Sequence, residues 1–324
     1  MNAINQLILN TVDLDNQRQF AAIIGINPSQ GARSPVLWNA AFRAQGENTE
    51  MVALDITPEN LTKVLRLLED DSRFVGGAVA APHKEAVAEW LSHRDGHRLT
   101  SEVDAIGAVN CLYRGKVNGN LHGANTDGEG ALRSLKEICP NLPGKNIILL
   151  GLGGAGKAVA AYVAEDMQAQ GSLSISNRKS SRLIEKFCEC IGAKLLQWPP
   201  SSSDYAGTDI IINCTTIGSN NTQVISGETV ELNSYSPLCN LNARNNKQSR
   251  SILDILPKTA TVFDIIYDPN PTRLLVLASK CGLQTLNGSR MNLEQAIIAF
   301  CYATYTQSTE AVRAAMTRER NKLD

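Results

Sequence analysis

The sequence predicts an α/β protein of two domains, one of which is a Rossmann-type domain that binds a dinucleotide. The 324 residues suggest about two domains, and an apolar fraction of 43% is enough for sizeable cores. Strand-like and helix-like segments alternate from residue 20 onward, which is typical of a parallel sheet covered by helices. An apolar run at 147–150 leads into a glycine-rich turn and then into a segment of helical periodicity.

The N-terminal segment, up to residue 126, alternates strands with helices. Ser34 as N-cap and Pro35 as the first helical residue open one helix, and Thr57 caps another. Asn118-Gly119 is the dipeptide of a tight hairpin turn. The predicted strands are 20–26, 51–56, 74–81 and a short extended stretch at 107–113; the predicted helices are 35–43, the segment after Thr57, the segment after Lys84 through Leu91, and 130–138.

The glycine-rich turn spans Gly151 to Gly156. In a dinucleotide-binding unit, Gly151 permits the turn, Gly153 lets the backbone approach a pyrophosphate, and Gly156 lets the helix pack on the strand. The helix N-terminus also offers free N–H groups to the phosphates. For the motif alone, a strand-to-helix turn without a ligand is the alternative. The predicted cofactor contacts here are Gly151, Gly153, Gly154, Ala155 and Gly156.

The end of the next strand, 172–176, decides which dinucleotide we expect. A NAD-binding unit places an acidic residue at this point to hold the ribose 2′-hydroxyl. This chain has Asn177, Arg178 and Lys179, with Arg182 shortly after. Cations attract a 2′-phosphate, and arginine can pair with it bidentately. We therefore predict NADP as the cofactor, with a solvated basic helix start as the alternative.

The remaining strands of the nucleotide domain are predicted at 193–198, 209–214 and 262–266. The stretch 219–251 is polar, rich in Asn and Ser, and longer than most connections in compact domains. We predict a mobile surface excursion there, with a lid over the cofactor as the functional alternative. A final helix at 291–304 has an apolar face, and we expect it to pack back on the N-terminal domain.

These assignments make the substrate-binding and catalytic domain discontinuous. It comprises residues 1–126 and 288–324, while residues 127–287 form the NADP-binding Rossmann domain. We expect the substrate cleft between the two domains, because open α/β sheets bind ligands at the carboxyl ends of their strands.

The composition of the chain favours a small-molecule partner over nucleic acid or a membrane. Lys and Arg number 31 against 32 Asp and Glu, so no net charge attracts nucleic acid or an anionic membrane. No apolar run approaches the ~18 residues of a membrane span, and no basic leader precedes a hydrophobic stretch. The eight cysteines are scattered without zinc or redox spacing. We expect a cytoplasmic enzyme, monomer or homodimer, with a small-molecule substrate and no metal.

Oxidation of an alcohol by a nicotinamide cofactor requires a group that takes the hydroxyl proton. His83 and Lys84 lie at a strand-to-helix turn, and Asp127 lies at the start of a helix. A lysine beside a carboxylate in a partly dry cleft can relay a proton. Helix capping is the alternative role for Asp127.

Several motifs then occur in one order along nearly the whole chain. They are Pro28 with Ser34-Pro35, Pro82-His83-Lys84, Ala105 to Asn110, Asn125-Thr126-Asp127, the glycine-rich turn, Asn177-Arg178, Asn213 to Thr215, Asp264 to Tyr267, Asn287-Gly288 with Met291, and Gln295-Ala296. In this order they resemble the shikimate/quinate dehydrogenase family.

The resemblance implies a role for individual residues. Lys84 and Asp127 are implied as the catalytic pair, with Lys84 as the proton-transfer group. The implied substrate contacts are Ser34, Asn110, Tyr267 and Gln295, and the implied cofactor contacts include Thr215, Gly288 and Met291. It also assigns the 2′-phosphate to Asn177, Arg178 and Arg182, in agreement with the charge argument.

The departures from the family pattern fall in the substrate pocket. Ala32 replaces a serine that binds the substrate carboxylate, Gly31 replaces a histidine, and Ala78 and Ala80 replace the Asn and Thr of an Asn-Val-Thr segment. Each lost hydrogen bond costs on the order of 1–3 kcal/mol. Arg33 or Arg290 is an alternative carboxylate partner, and a solvated side chain is the alternative for both.

The sequence therefore predicts an NADP-dependent oxidoreductase of the shikimate dehydrogenase type. It would interconvert 3-dehydroshikimate, or a related cyclic keto acid, and the corresponding alcohol in aromatic amino acid biosynthesis. The alternatives are a paralogue that acts on quinate, aminoshikimate or another cyclic substrate, and a non-catalytic sensor of NADP or of a ligand.

Overall fold

The computed structural model describes residues 3–14, 18–225, 228–307 and 309–324. Contacts within the chain define two compact units. The first unit comprises Met1–Asp127 and Leu293–Asp324, and the second comprises Gly128–Asn292.

The regular elements follow the predicted alternation of strands and helices. The strands are β1 (Phe20–Gly25), β2 (Glu50–Asp55), β3 (Phe74–Val79), β4 (Cys111–Arg114), β5 (Leu121–Ala124), β6 (Asn146–Leu150), β7 (Ser172–Ser176), β8 (Lys194–Leu196), β9 (Ile210–Asn213), β10 (Thr222–Ile225), β11 (Glu228–Glu231), β12 (Thr261–Asp264) and β13 (Gln284–Leu286). The helices are α1 (Ser34–Ala44), α2 (Pro58–Asp70), α3 (Lys84–Ser92), α4 (Ser101–Ile106), α5 (Asp127–Lys136), α6 (Gly154–Met167), α7 (Arg182–Cys190), α8 (Asn245–Asp254), α9 (Arg273–Lys280), α10 (Gly288–Thr304) and α11 (Thr309–Leu323).

The first unit is built on a mixed sheet of order β2-β1-β3-β4-β5. β1 pairs with β2 and β3 in parallel, whereas β3–β4 and β4–β5 are antiparallel. The antiparallel pair β4–β5 confirms the hairpin predicted from Asn118-Gly119. One face of the sheet packs on the apolar side of α2, and the other packs on α1, α10 and α11.

The core on the side of α1, α10 and α11 contains residues from both the N-terminal and the C-terminal part of the chain. Phe300 of α10 lies with its ring centroid 5.3 Å from that of Trp38 and 4.9 Å from that of Phe42, and both rings belong to α1. Val312 and Met316 of α11 are fully buried in the same cluster. Aromatic pairs at these separations add stability beyond the area they bury. The C-terminal helices are therefore part of the sheet packing of the first unit.

The second unit contains a parallel sheet of order β8-β7-β6-β9-β12-β13. This is the order of a doubly wound dinucleotide-binding fold. The strands are added outward from β6 through β7 to β8, and the chain then returns to add β9 on the other side of β6. Apolar clusters cover both faces of the sheet. Such sheets bind ligands where the strand order reverses, at the carboxyl ends of the strands.

Two details of the structure differ from what the sequence pattern indicated. Ser34 is the first residue of α1 and not its N-cap; Arg33 takes that position without a side-chain cap. The stretch 219–251 holds regular structure, the antiparallel ribbon β10–β11 and most of α8. The polar composition of this stretch concealed the helix. Asn245 is buried there, and its side chain accepts a hydrogen bond from the N–H of Ser236 and donates one to the carbonyl oxygen of Ser236 (both 2.9 Å). Asn245 is therefore a structural residue.

Among the described residues, no helix has both the length and the apolar character needed to cross a membrane.

Candidate active site

Lys84 begins α3, directly after the turn that follows β3. The preceding His83 is buried, and its Nε2 lies 2.8 Å from the carbonyl oxygen of Ile56. The carbonyl oxygen of Lys84 accepts a hydrogen bond from the N–H of Val109 (2.9 Å). The backbone that carries the lysine is thus held on two sides.

The ammonium group of Lys84 contacts the carboxylate of Asp127, with Nζ 2.5 Å from Oδ2. The side chains are 18% and 8% exposed respectively, so the pair is shielded from water on most sides but still accessible. Asp127 begins α5, and its N–H donates to Oδ1 of Asn125 (3.0 Å). A charge-assisted pair of this kind can hold and transfer a proton at an oxygen atom beside it.

Asn110 connects this pair to the end of the chain. Its Nδ2 lies 2.8 Å from Oδ1 of Asp127, 3.0 Å from Oγ1 of Thr126 and 3.4 Å from Oε1 of Gln295. Its Oδ1 accepts the N–H of Thr126 (2.7 Å). The hydroxyl group of Thr126 also lies 3.1 Å from the carbonyl oxygen of Gln295. All of these side chains are at least nine-tenths buried.

The structure therefore brings four of the predicted site residues together: Lys84, Asp127, Asn110 and Gln295. Ser34 is buried at the start of α1, and no hydrogen bond joins it to this network among the described residues. Tyr267 is half-buried and belongs to the second unit, after β12. Thr126 is a network member that sequence analysis missed, although it lies inside the Asn-Thr-Asp motif.

Alanines occupy the positions where the sequence departs from the family pattern. Ala78 is buried in β3 opposite Cys111, and Ala32 and Ala80 pack against the same apolar cluster. The two arginines considered as carboxylate partners both have acidic partners. Arg33 lies 2.6 Å from Asp324, and Arg290 pairs with Glu137.

Three glycines of the glycine-rich turn in the second unit are required for different physical reasons. Gly151 has a φ of +93°, which favours glycine. A Cβ at Gly156 would lie 2.1 Å from the carbonyl oxygen of Gly151, so close packing requires glycine there. Gly153 has a φ of −76°, and nothing lies within 4 Å of a Cβ placed on it. Neither backbone nor packing explains Gly153, whereas a ligand that approaches the backbone does.

Asn177 ties this turn to the end of β7. Its Oδ1 accepts the N–H of Leu152 (2.9 Å), and its Nδ2 donates to the carbonyl oxygen of Lys179 (2.7 Å). Both polar ends of the side chain therefore have partners inside the protein.

Three cations follow Asn177 at the end of β7: Arg178, Lys179 and Arg182. All three are exposed, and none makes a side-chain hydrogen bond or ion pair with another described residue. Arg182 is the first residue of α7, where the helix dipole already provides positive charge. Like charges at such a point are unfavourable without an anion, so the cluster is suited to bind one.

A cavity of about 280 Å³ lies beside the glycine-rich turn. Thr215 lines it, but its hydroxyl group is engaged in a local turn, donating to Oδ1 of Asn213 (2.7 Å) and accepting the N–H of Ile217 (3.0 Å). The other lining residues are Gly151, Leu152, Gly153, Asn177, Arg178, Trp198, Cys214, Thr216, Ile217 and Gln223. Trp198 and Gln223 carry no sequence signal that could have identified them.

Two further predicted cofactor contacts have structural roles. A Cβ at Gly288 would lie 1.8 Å from the carbonyl oxygen of Ile265, so the start of α10 requires glycine. Met291 is buried in the apolar cluster that includes Leu286 and Phe263.

Asp264 ends β12 and is fully buried in the second unit. It accepts hydrogen bonds from Thr272 (2.7 Å), Asn213 (2.9 Å) and the N–H of Ile266 (3.1 Å). Burial raises the pKa of this carboxyl group to about 7, although the three hydrogen bonds favour the charged form. Among the described residues, no cluster of His, Cys, Asp or Glu could hold a metal ion.

Comparison with known proteins identifies the family. A family model described as the shikimate dehydrogenase substrate binding domain matches residues 23–112. A shikimate dehydrogenase (NADP(+)) of Methanocaldococcus jannaschii is 32% identical over an alignment of 290 residues that covers 86% of this chain and 89% of the relative. The chain belongs to the shikimate dehydrogenase family.

Solved structures of the family have the same fold. A shikimate dehydrogenase crystallised in complex with NADP+ is 29% identical, with a TM-score of 0.74 over 93% of this chain and 95% of its own. A ligand-free 5-ketofructose reductase of Gluconobacter sp. is 25% identical, with a TM-score of 0.68 over 94% of this chain and 99% of its own. Proteins named for different substrates thus share the fold of this member of the shikimate dehydrogenase family.

Proposed function

We propose that this protein is an NADP-dependent oxidoreductase of the shikimate dehydrogenase type. It interconverts 3-dehydroshikimate, or a related cyclic keto acid, and shikimate, or the related alcohol. The observation that carries the proposal is the contact between Lys84 and Asp127, oriented by Asn110 in a largely buried network. A purely structural ion pair does not need its lysine to remain accessible.

Lys84 and Asp127 would handle the proton of the reaction. The cofactor, when bound, supplies or accepts the hydride. In the direction of ketone reduction, the ammonium group of Lys84 donates a proton to the carbonyl oxygen, while Asp127 stabilises the ammonium group beforehand and orients the substrate. In the direction of alcohol oxidation, the lysine takes the hydroxyl proton.

The second unit fits NADP. The N-terminus of α6, with open space over Gly153, suits the pyrophosphate. The cations Arg178, Lys179 and Arg182 suit the 2′-phosphate, with Asn177 holding the turn between these two regions. The name of the M. jannaschii relative and the NADP+ complex of the solved relative support the same cofactor. The proposed domains are residues 1–126 with 288–324 for the substrate and 127–287 for NADP.

The alanines at 32, 78 and 80 do not determine which cyclic hydroxy acid or keto acid is the substrate. Quinate, aminoshikimate or another cyclic substrate is the second candidate, because these side chains offer no hydrogen bond to a ring hydroxyl or carboxylate. With shikimate as substrate, the protein acts in the cytoplasm, in the shikimate pathway of aromatic amino acid biosynthesis, as a monomer or homodimer. A non-catalytic sensor of NADP or ligand would not need the pair of Lys84 with Asp127.

The test is the initial rate of NADP⁺ reduction with shikimate, with quinate and NAD⁺ as parallel controls. Lys84→Ala should lower the rate by a factor of about 10²–10⁴, the loss expected for a general acid–base. Its affinity for NADPH should stay unchanged. Lys63→Ala on the exposed side of α2 is the matched control and should keep the wild-type rate.

Each other outcome has a distinct meaning. Equal rates in wild type and Lys84→Ala would remove the catalytic assignment. Turnover of quinate or another cyclic alcohol without turnover of shikimate would select the second candidate. Binding of NADPH without turnover of any cyclic alcohol or ketone would support the sensor.

A further inference from the structure

We propose that Trp198 stacks on the adenine ring of the cofactor and that Gln223, from the ribbon β10–β11, contacts the edge of this ring. The inference rests on the proposed use of NADP. It assigns a binding role to two residues outside the glycine-rich turn and outside the cation cluster.

The first observation is the position of Trp198. Trp198 lines the cavity of about 280 Å³ and is the one aromatic residue to do so among the described residues. The indole is half-buried and also packs against the apolar cluster that contains Ile148 and Leu150. The residue thus packs on the core of the second unit and also borders the cavity.

The second observation is the cation that lines the same cavity. Arg178 lines the same cavity and belongs to the exposed cation cluster proposed for the 2′-phosphate. In NADP the 2′-phosphate and the adenine ring are attached to the same ribose. A phosphate held at Arg178 therefore leaves the adenine within one sugar of this cavity, and the nicotinamide lies beyond the pyrophosphate. The aromatic wall faces the adenine end of the cofactor.

Chemistry favours the same assignment. Stacking on an aromatic side chain stabilises a nucleobase, and an arginine plane beside it adds to the interaction. A glutamine amide can donate to and accept from the edge of adenine. Gln223 is partly exposed on β10 and lines the same cavity as the glycine-rich turn.

The ribbon that carries Gln223 is joined to the loop after β9 at its base. The N–H of Gly218 donates to the carbonyl oxygen of Leu232 (3.0 Å), and the N–H of Leu232 donates to the carbonyl oxygen of Asn221 (2.9 Å). Leu232 itself is buried. The base of the ribbon is therefore fixed beside residues 215–217, which line the cavity. The backbone at Gln223 follows directly from this fixed base.

The experiment uses 2′,5′-ADP, which contains the adenine, the ribose and both phosphates but no nicotinamide. Its affinity for the full-length protein is measured by calorimetry. Trp198→Leu should weaken binding on the order of 10-fold, within the range measured for base stacking. Trp198→Phe should restore most of the affinity, and Gln223→Ala should weaken it about 2- to 10-fold. Trp90→Leu, in the first unit, should leave it unchanged.

A fluorescence measurement serves if Trp198→Leu does not fold. Binding of 2′,5′-ADP should quench tryptophan emission of the wild type, and this change should be absent in Trp198→Phe although calorimetry still detects binding. Wild-type affinity in Trp198→Leu, or equal quenching in Trp198→Phe, would overturn the stacking assignment and leave the proposed function intact. If neither 2′,5′-ADP nor NADPH binds the wild type, the proposed cofactor itself is wrong.

Discussion

The amide nitrogen of Asn110 lies 2.8 Å from Oδ1 of Asp127, while Lys84 contacts the other carboxylate oxygen. The two oxygens of Asp127 thus have different donors. Thr126 donates its N–H to Oδ1 of Asn110, and this contact determines which end of the amide faces the carboxylate. Asn110 therefore positions Asp127 in addition to any contact that it makes with substrate.

Asn110→Asp should shift the pH dependence of activity. A second carboxyl group beside Asp127 raises the pKa of one member of the pair, because two adjacent like charges are unfavourable. The acid limb of the pH–rate profile should then move to higher pH. Asn110→Ala is the control, since it removes the hydrogen bond without adding charge and should lower the rate with a smaller shift. Coincident profiles for the Asp variant and wild type would rule out this role.

Arg178→Ala should reduce the preference for NADP over NAD. A charge-assisted hydrogen bond to a phosphate contributes about 1.5–3 kcal/mol, which corresponds to roughly 10- to 100-fold in affinity. NADPH should lose this factor, whereas NADH, without the 2′-phosphate, should not. Lys186→Ala removes the same charge from an exposed position of α7 and should leave the preference unchanged. An unaltered ratio in Arg178→Ala would reject the phosphate contact.

Alanine substitutions at Gly153 and Gly156 should have different effects, one on NADPH affinity and the other on the stability of the fold. At Gly153 the added Cβ enters open space, so the melting temperature should hold while NADPH affinity falls on the order of 10-fold. At Gly156 the Cβ would meet the carbonyl oxygen of Gly151, and overpacking of this kind costs about 1–3 kcal/mol of folding free energy. Thermal unfolding and NADPH titration measure both effects. Unchanged affinity in Gly153→Ala would contradict the open-space argument.

Asp264 should make stability depend on pH. Its pKa rises from 3.8 to about 7 on folding. Between these values the folded state binds the proton and the unfolded state does not, so this group lowers the free energy of unfolding as pH rises from about 4 to about 7. Asp264→Asn cannot ionise, and its stability relative to wild type should increase between about pH 5 and about pH 8. Urea unfolding at both pH values measures the difference, and a constant or falling difference would refute the assignment.

Local pattern was sufficient for much of the fold. The alternation of apolar strands with helices, the hairpin at Asn118-Gly119 and the glycine-rich turn each depend on neighbouring residues. The helix α8 was missed because its buried residues include Asn245 and Ser249, whose polar groups have partners nine and ten residues earlier in the chain. Burial of a polar side chain leaves no trace in hydrophobic periodicity.

The candidate site was predictable only in part. Lys84 and Asp127 came from short motifs, but the contact of Asn110 with Gln295 joins residues 185 positions apart. Trp198 follows β8 and Gln223 lies in β10, yet both line the cavity beside the glycine-rich turn. No single stretch of sequence encodes such a meeting, since it depends on how the strands are ordered in the sheet.

The packing of Phe300 on Trp38 and Phe42 also has a consequence for synthesis on the ribosome. The second unit is continuous in sequence, so it can complete its core as soon as it has emerged. The face of the first sheet on which α1 packs is covered only in part until α10 and α11 have been translated. Trp38 and Phe42 therefore lack Phe300 as a packing partner for most of the synthesis of the chain.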